Sequence, residues 1–310
     1  MRILVVGAGV IGSAYAGNLL EAGHEVVLLA RGRRLSELQA HGLILEDAES
    51  GQRTAVAVPS LSEPVAGDRY DLVIVPVRVE QLTGTFPILL GMNDDSDVLF
   101  FGNTLGRQAE LVAAIGARAL FGFPAVGGVR DGPVVRYVLI RQQKTMLGEA
   151  TGTTTPRIRR LQEMLDVAAF PTRISASIDG WMLGHTAFVV PIAFALYRVG
   201  TDPARLATDA DAVRLMVRAT REVFRVLVGT GDAEIPANLR MLYFHLPTAV
   251  IVRYWQRVLA GPRGELWFGA HCRAAPEEMH VLAVALQNAL RRIGRPIPNL
   301  DYLLSHRPPS

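Results

Sequence analysis

Three glycines near the start of the chain have the spacing of a phosphate-binding turn. They lie in VVGAGVIGSAYAG, where the pattern GxGxxG follows an apolar run directly and precedes a helical pattern. The first glycine permits a tight turn, the second lets the backbone approach a pyrophosphate, and the third lets the helix pack closely on the strand. We therefore predict a dinucleotide site formed by the residues of this turn: Gly7, Ala8, Gly9, Val10, Ile11 and Gly12.

The residue that ends the second strand pattern indicates which dinucleotide this site takes. Chains that bind NAD commonly place an acidic residue there for the ribose 2′-hydroxyl, whereas this chain has Arg31, followed by Gly32, Arg33 and Arg34. An arginine suits the 2′-phosphate of NADP, because its guanidinium donates charge-assisted hydrogen bonds to phosphate oxygens. We predict NADP as the cofactor. The alternative is that Arg31 belongs to a solvated basic loop.

The composition restricts the remaining chemistry. Among the 32 basic residues only Lys144 is a lysine, so a mechanism that needs an amine must use that residue. The single cysteine, Cys272, cannot form an internal disulfide, and no CxxC or HExxH spacing indicates a metal site. A reducing cytoplasm fits such a chain best. The net charge of +3 is small and the basic residues are spread out, so neither nucleic acid nor membrane is an expected partner.

The first half of the chain alternates apolar, β-branched runs with amphipathic segments. This rhythm predicts a Rossmann-type, doubly wound parallel sheet of the α/β class. LILED and TAVAV are expected to form a small extra pair, and VVRYVLI and KTMLGE to form later edge strands or a hairpin. The predicted parallel strands are 2–6, 25–30, 70–75 and 97–101, and the predicted helices are 10–22, 33–41, 79–91 and 105–115.

The second half has helical periodicity and no further strand pattern. We predict an NADP-binding domain over residues 1–170 and a mostly helical C-terminal substrate or dimerisation domain over 171–310, with the ligand in a cleft between them. Residues 181–199 form the one membrane-span candidate, but His185, Pro191 and Arg198 interrupt it, which favours a buried helix. The predicted helices are 156–168, 177–199, 203–229, 238–260 and 276–294.

Five stretches taken together resemble the ketopantoate reductase (2-dehydropantoate 2-reductase) family. After the glycine turn come LLARGRRLSELQAHGL, DLVIVPVRVEQL, FFGNTLGRQAEL, VGGVRDGPVVRYV and LGE, in that order. The match runs through the whole dinucleotide domain and more loosely to the end. The resemblance implies an NADPH-dependent reductase with a Rossmann domain and a helical C-terminal domain.

The resemblance also implies roles for single residues. The phosphate-binding arginine of the family falls on Arg31, and its lysine after the DLV strand falls on Arg78. The asparagine that holds the nicotinamide end falls on Asn103, although Thr104 replaces the glycine that follows it in the family. A cofactor-contacting position before the RDG turn falls on Gly128, and the C-terminal glutamate of the family falls on Glu265.

The departure from the family lies in the stretch WMLGHTAFVVPIAFALY. The family places a catalytic lysine two residues after the tryptophan and asparagines one and two helical turns later. Aligned on Trp181, these positions are Leu183, Ala187 and Pro191, which are all apolar. Either another residue supplies the proton or the reaction differs.

His185 is our candidate for that proton donor. Hydride reduction of a ketone builds an alkoxide, which needs a positioned acid, and histidine is a competent acid near neutral pH. His185 lies two residues beyond Leu183 and so about 200° further around a helix. A shift of the helix start near Gly184 would bring it into the cleft. The alternative is that His185 is a core or surface histidine.

A second cluster of polar residues follows in the C-terminal half. Arg253 and Arg257 share one helix face and are candidates for holding a substrate carboxylate, with His245 nearby in sequence. A solvated helix face explains the same two arginines equally well. The residues between His271 and His280 match no known spacing for metal ligands, so no metal is expected.

We expect an NADP-dependent oxidoreductase that reduces a 2-oxo acid or a related small carbonyl compound, acting as a cytoplasmic homodimer. One alternative is a protein that binds NADPH without catalysis, as a sensor or scaffold. Another is a dehydrogenase of the opine or 6-phosphogluconate type, which shares the architecture but expects a different helical motif.

Overall fold

A computed structural model describes residues 1–65, 67–92 and 95–305. The chain forms two compact units, Met1–Ile178 and Asp179–Ser310. The sequence placed the division after residue 170. The difference arises because Thr172–Ile174 forms a last strand that pairs in parallel with Thr145–Glu149 and so extends the sheet of the first unit.

The first unit contains two sheets. The strands are β1 (Arg2–Val6), β2 (Glu25–Leu29), β3 (Leu43–Asp47), β4 (Arg53–Val56), β5 (Ser60–Leu61), β6 (Leu72–Val75), β7 (Asp97–Phe101), β8 (Ala119–Phe123), β9 (Val126–Asp131), β10 (Val134–Leu139), β11 (Thr145–Glu149) and β12 (Thr172–Ile174). The larger sheet has eight strands in the order β12-β11-β8-β7-β6-β1-β2-β5, and its pairs are parallel except β11 with β8. The smaller sheet has the order β4-β3-β10-β9.

The predicted α/β class and the four central strands are confirmed. Each of β1, β2, β6 and β7 is an apolar run, and all four residues of β6 are buried, as expected of a parallel strand covered on both faces. The extra pair is also confirmed, because β3 and β4 are antiparallel neighbours. The sheet region extends further than predicted, because β5, β8, β9 and β12 had not been recognised.

VVRYVLI and KTMLGE are strands, as predicted, but the expectation that they form edge strands or a hairpin together is wrong. β10 pairs with β9 in an antiparallel hairpin and with β3 in parallel, whereas β11 joins the larger sheet. β9 escaped detection because it contains Gly127 and Gly128, and glycine is a poor strand former. The hairpin turn passes through Gly132, whose φ of 53° suits glycine.

In the described part of the first unit, five α-helices flank the sheets. They form beside the larger sheet because parallel strands need crossover connections. Tyr15, on the first of them, is fully buried, stacks on Phe170 at 3.8 Å between ring centroids, and shares a 2.7 Å hydrogen bond with the Thr145 hydroxyl. The helices are α1 (Val10–Glu21), α2 (Gly32–His41), α3 (Phe86–Leu90), α4 (Gln108–Ile115) and α5 (Pro156–Val167), and Val79–Thr85 is a 3-10 helix.

The described residues of the second unit form helices joined by turns and loops, with no strand among them. The predicted helix 203–229 divides at Asp209, whose carboxylate accepts a hydrogen bond from the Ala212 amide and caps a new helix. The predicted helix 238–260 divides at Pro247. The helices are α6 (Ile178–Arg198), α7 (Pro203–Thr208), α8 (Ala210–Thr230), α9 (Ala237–Arg240), α10 (Thr248–Ala260), α11 (Pro262–Gly264), α12 (Ala270–Ala274), α13 (Pro276–Ile293) and α14 (Pro298–Leu304), and Met241–His245 and Glu265–Gly269 are π-helical.

Helix α6 is the one described helix that is long and apolar enough to cross a membrane. In its most apolar stretch of 18 residues, 83% of the residues are buried inside the protein. A buried helix explains its composition, as the sequence favoured.

Candidate cofactor and active site

The three glycines of the β1–α1 turn have three different surroundings. Gly7 has a φ of 123°, which only glycine adopts readily. A Cβ on Gly12 would lie 1.9 Å from the Gly7 carbonyl oxygen and 3.0 Å from Pro76 Cγ, so residue 12 must be glycine for α1 to pack here. A Cβ on Gly9 would meet no atom within 4 Å, and Gly9 is exposed. The turn is therefore closed at Gly7 and Gly12 and open at Gly9.

The open side of the turn is the N-terminus of α1. Gly9 caps this helix, and its carbonyl accepts the first helical hydrogen bond, from the Ser13 amide at 2.9 Å. The amides of the first turn, including those of Val10 and Ile11, have no partner within the helix and carry its positive dipole end. Such a terminus binds a pyrophosphate without further charged groups. The surroundings of the turn therefore fit a dinucleotide.

Arg31 stands at the carboxyl end of β2 and caps helix α2. Its side chain is exposed, and no hydrogen bond or ion pair to it is found among the residues that the structure describes. Arg33, two residues later, is instead bound to Glu37, with 2.7 Å between Nε and Oε1. Arg31 is thus available to an anion beside the glycine turn.

Arg34 has a role that the sequence did not suggest. This arginine is 8% exposed, and its guanidinium donates to the carbonyl oxygen of Ala8 at 3.1 Å, to Ser13 Oγ at 3.2 Å and to the carbonyl oxygen of Pro133 at 3.1 Å. It therefore ties α2 to the glycine turn and to the β9–β10 turn. The available signal was helical spacing, because residue 34 lies four before the buried Leu38.

Arg78 and Asn103 follow β6 and β7 at the same edge of the sheet as the glycine turn. Carboxyl ends of parallel strands meet at one edge, where open α/β sheets bind ligands. Arg78 is half-buried at the start of the 3-10 helix, and its amide donates to Gln81 Oε1 at 3.3 Å. Asn103 is buried. Thr104, which replaces the glycine of the family, is also buried, and its hydroxyl accepts a hydrogen bond from Gln108 Nε2 at 3.2 Å.

Gly128 lies in β9, where the smaller sheet passes the start of α1. Its φ is 153°, and a Cβ there would lie 2.3 Å from the Arg136 carbonyl oxygen and 3.1 Å from Val10 Cγ1. Close packing therefore explains the glycine at this position, whether or not a cofactor also touches it.

His185 lies in helix α6, and its ring stacks on Trp181 with 5.1 Å between centroids and 9° between planes. Burial lowers the pKa of His185 to about 3; the neighbouring His271 lowers it further, and Glu278 opposes both. The imidazole is therefore neutral across the physiological pH range. The structure does not support the expectation that His185 acts as an acid near neutral pH, but a neutral imidazole can still donate a hydrogen bond.

The three apolar replacements on α6 are core residues. Leu183 is 8% exposed, Ala187 is fully buried, and Pro191 is buried. Gly184, which directly follows Leu183, packs so closely that a Cβ on it would lie 2.4 Å from the Glu234 carbonyl oxygen. Lys144, the lone lysine, is exposed in the turn before β11 in the other unit.

The polar residues of the C-terminal half pair in ways the sequence did not show. His271 Nε2 lies 3.0 Å from Glu278 Oε2, and Glu278 is buried. Glu265 is half-buried and forms an ion pair with Arg273. No group of three potential metal ligands is found among the described residues.

The three predicted substrate ligands all lie on the surface. Arg253 and Arg257 are exposed on α10, and His245 is exposed at the end of the preceding π-helix. Neither arginine has a hydrogen bond or ion pair in the described part of the chain. They are available to an anion, as well as to solvent.

Comparison with known proteins gives a consistent family. The model of the family "Ketopantoate reductase PanE/ApbA" matches residues 3–152. The 2-dehydropantoate 2-reductase of Pyrococcus horikoshii is 26% identical over 187 residues, which are 60% of this chain and 60% of that protein. The match thus spans about three fifths of this curated relative.

Solved structures share the fold along nearly the whole chain. The 2-dehydropantoate 2-reductase from Geobacter metallireducens superposes with a TM-score of 0.82 at 18% identity, covering 99% of this chain and 98% of that one. A D-mandelate dehydrogenase solved with NADH and anilino(oxo)acetate gives a TM-score of 0.72 at 15% identity, covering 99% and 96%. The family model thus matches just under half of the chain, and the solved structures show that the chain shares the fold of ketopantoate reductases.

Proposed function

We propose that this protein is an NADP-dependent oxidoreductase that reduces a 2-oxo acid or a related small carbonyl compound. The observation that carries the proposal is the open Gly9 at the N-terminus of α1, with Arg31 at the end of the neighbouring strand, where its guanidinium has no partner among the described residues. The helix terminus suits the pyrophosphate, and Arg31 suits the 2′-phosphate. The match of residues 3–152 to the ketopantoate reductase family model supports the same activity.

The remaining cofactor roles follow the carboxyl edge of the sheet. Bound NADPH would supply the hydride. Asn103 and Arg78 follow the two strands beyond β1 and would orient the nicotinamide end. Gly128 would allow close approach near Val10. The family resemblance implies that Glu265 binds the cofactor, and its ion pair with Arg273 would hold the carboxylate in place.

His185 remains the candidate for stabilising the oxygen of the reacting carbonyl. Stacking on Trp181 fixes the ring, and the depressed pKa keeps it neutral. A fixed, neutral imidazole can donate a hydrogen bond to a developing alkoxide, as preorganised donors do in other enzymes. Arg253 and Arg257, with His245, are proposed to hold the substrate carboxylate, because both guanidiniums are exposed and unpaired among the described residues.

A second candidate function is binding of NADPH without catalysis. It is favoured by the burial of Leu183, Ala187 and Pro191, the positions where the family carries its lysine and asparagines. Such a protein would keep the glycine turn and Arg31, and it would act as a sensor or scaffold.

Consumption of NADPH separates the two candidates. We would follow the loss of absorbance of NADPH with a panel of 2-oxo acids, including ketopantoate and aromatic and branched apolar compounds. Turnover with any of them supports the oxidoreductase. Tight binding of NADPH without turnover supports the sensor, and an absence of NADPH binding contradicts both.

A further inference from the structure

Glu37, on helix α2, holds three arginines around one carboxylate. Arg33 Nε lies 2.7 Å from Oε1, Arg130 Nη1 lies 3.2 Å from Oε2, and Arg34 Nη1 lies 3.6 Å from Oε2. Arg33 and Arg34 belong to α2, whereas Arg130 comes from β9 of the smaller sheet. The Glu37 side chain is only 13% exposed, and all three guanidiniums lie within 4 Å of its carboxylate.

This cluster has more positive than negative charge. One carboxylate faces three guanidiniums, so two positive charges remain uncompensated within the cluster. The crowding has an effect, because the pKa of Arg34 is lowered by burial and then by the charge of Arg130. Asp131 directly follows Arg130 in β9. Because side chains alternate between the faces of a strand, we do not count Asp131 as part of the cluster. An added anion would relieve the repulsion within the cluster.

The cluster adjoins the glycine turn. Arg34 donates to the carbonyl oxygen of Ala8 in that turn and to that of Pro133 at the tip of the β9–β10 hairpin. Gly128 lies two residues before Arg130 on the same strand, and a Cβ on Gly128 would lie 3.1 Å from Val10 Cγ1 at the start of α1. The β9–β10 hairpin therefore contacts both the start of α1 and the part of α2 that contains Arg34, three residues after Arg31.

We infer that Arg130 is a further specificity-determining residue, which binds the 2′-phosphate of the dinucleotide together with Arg31. This rests on the proposed use of NADP. Without a phosphate, Glu37 holds the guanidinium of Arg130 beside Arg33. The phosphate dianion then takes over one or more of these hydrogen bonds, and the excess positive charge of the cluster favours the exchange. NADH has no phosphate at this point, so Arg130 discriminates between the two cofactors.

The test measures the dissociation constants of NADPH and NADH by titration of the wild-type protein and of Arg130→Ala, Arg130→Lys and Arg136→Ala. Arg136 is the matched control: it is exposed on the same hairpin, but its Nε lies 3.2 Å from Glu46. Arg130 is itself 38% exposed, so its replacement should leave the fold intact. We expect Arg130→Ala to weaken NADPH about three- to tenfold and to leave NADH unchanged, because a partly exposed charge pair is screened by water. Arg130→Lys should keep most of the preference, and Arg136→Ala should keep all of it.

The outcomes separate this inference from the proposed function. If the wild type prefers NADPH and Arg31→Ala removes the preference, but Arg130→Ala changes neither constant, the inference is wrong and the function stands. An equal loss of NADPH and NADH in Arg130→Ala shows a merely structural role and also overturns it. A wild type that binds both cofactors equally overturns the use of NADP, and the inference with it.

Discussion

Gly7 and Gly12 approach each other so closely that a methyl group on residue 12 would lie 1.9 Å from the Gly7 carbonyl oxygen. The same methyl group on Gly9 would meet nothing within 4 Å. Gly12 is therefore required for the packing of the turn, whereas Gly9 leaves open space where a ligand could bind.

Gly9→Ala should fold normally and lose affinity for the dinucleotide, because its methyl group would occupy the space the pyrophosphate needs. We expect at least a tenfold weaker NADPH affinity with an unchanged melting temperature, measured by titration and by thermal unfolding. Gly12→Ala is the contrasting variant. It should lower the melting temperature by several degrees, because the helix must move away from the strand. Equal NADPH binding by Gly9→Ala and the wild type would show that the cofactor does not lie on this turn.

Arg31→Ala should remove most of a preference for NADPH over NADH. The 2′-phosphate loses a charge-assisted hydrogen bond, worth about tenfold in affinity at a partly exposed site, whereas NADH loses nothing. Dissociation constants for both cofactors test this. Arg53→Ala serves as the control, because Arg53 is an exposed arginine bound to Glu46 in the smaller sheet. The idea fails if the unmodified protein binds both cofactors equally.

Ketopantoate should be a poor substrate. Leu183, Ala187 and Pro191 offer no donors for a hydroxylated 2-oxo acid, and a site that lacks such donors discriminates against it. Steady-state kinetics should show a turnover below about 1 per second, under the usual enzyme range. A 2-oxo acid with an apolar side chain serves as the comparison. A rapid turnover with ketopantoate would contradict this expectation.

His185→Ala should lower turnover about a hundredfold and leave NADPH affinity within about a factor of two, as expected for loss of one preorganised donor. Because the pKa of His185 is lowered to about 3, its protonated form is absent between pH 5 and 9, and the rate profile should show no limb from this residue there. His280→Ala, an exposed histidine of the same unit, is the control. If His185→Ala changes only the melting temperature, His185 is a core residue.

The buried Glu149 should make the fold sensitive to acid. Burial alone would raise its pKa, but hydrogen bonds from Arg157 and Thr155 outweigh this effect and hold the pKa below its usual value. A depressed carboxylate stabilises the fold above its unfolded pKa, near 4.5, and this contribution disappears as the pH falls through the folded pKa. Arg157→Ala should cost about 3 kcal/mol of unfolding free energy at pH 7, because it leaves a buried charge unpaired.

Chemical denaturation at a series of pH values checks this prediction. The difference between the wild type and Glu149→Gln should shrink as the pH falls below about 4.5, because the carboxylate of the unfolded chain takes up a proton there while the folded one stays charged until its lower pKa is reached. Arg141→Ala is a suitable control, because Arg141 pairs with the exposed Glu49. A difference that stays constant down to pH 2 would argue against a role for the charge.

Local patterns in the sequence determined the glycine turn, the central strands and the helical second half. Each of these depends on residues close together in the chain: an apolar run makes β6, and a glycine at residue 7 makes the turn. The position of Arg31 could be predicted for the same reason, because it directly follows β2.

Only the tertiary structure decided the relationships between distant residues. The partner of β10 is β9 and not β11, because strand pairing depends on long-range packing. Arg34 holds the glycine turn across 26 residues of sequence. The pKa of His185 depends on its burial, which the helix pattern does not fix. The sequence therefore determined where the elements of the predicted cofactor site begin, whereas the packing of the chain decided which charged side chains lie close to one another.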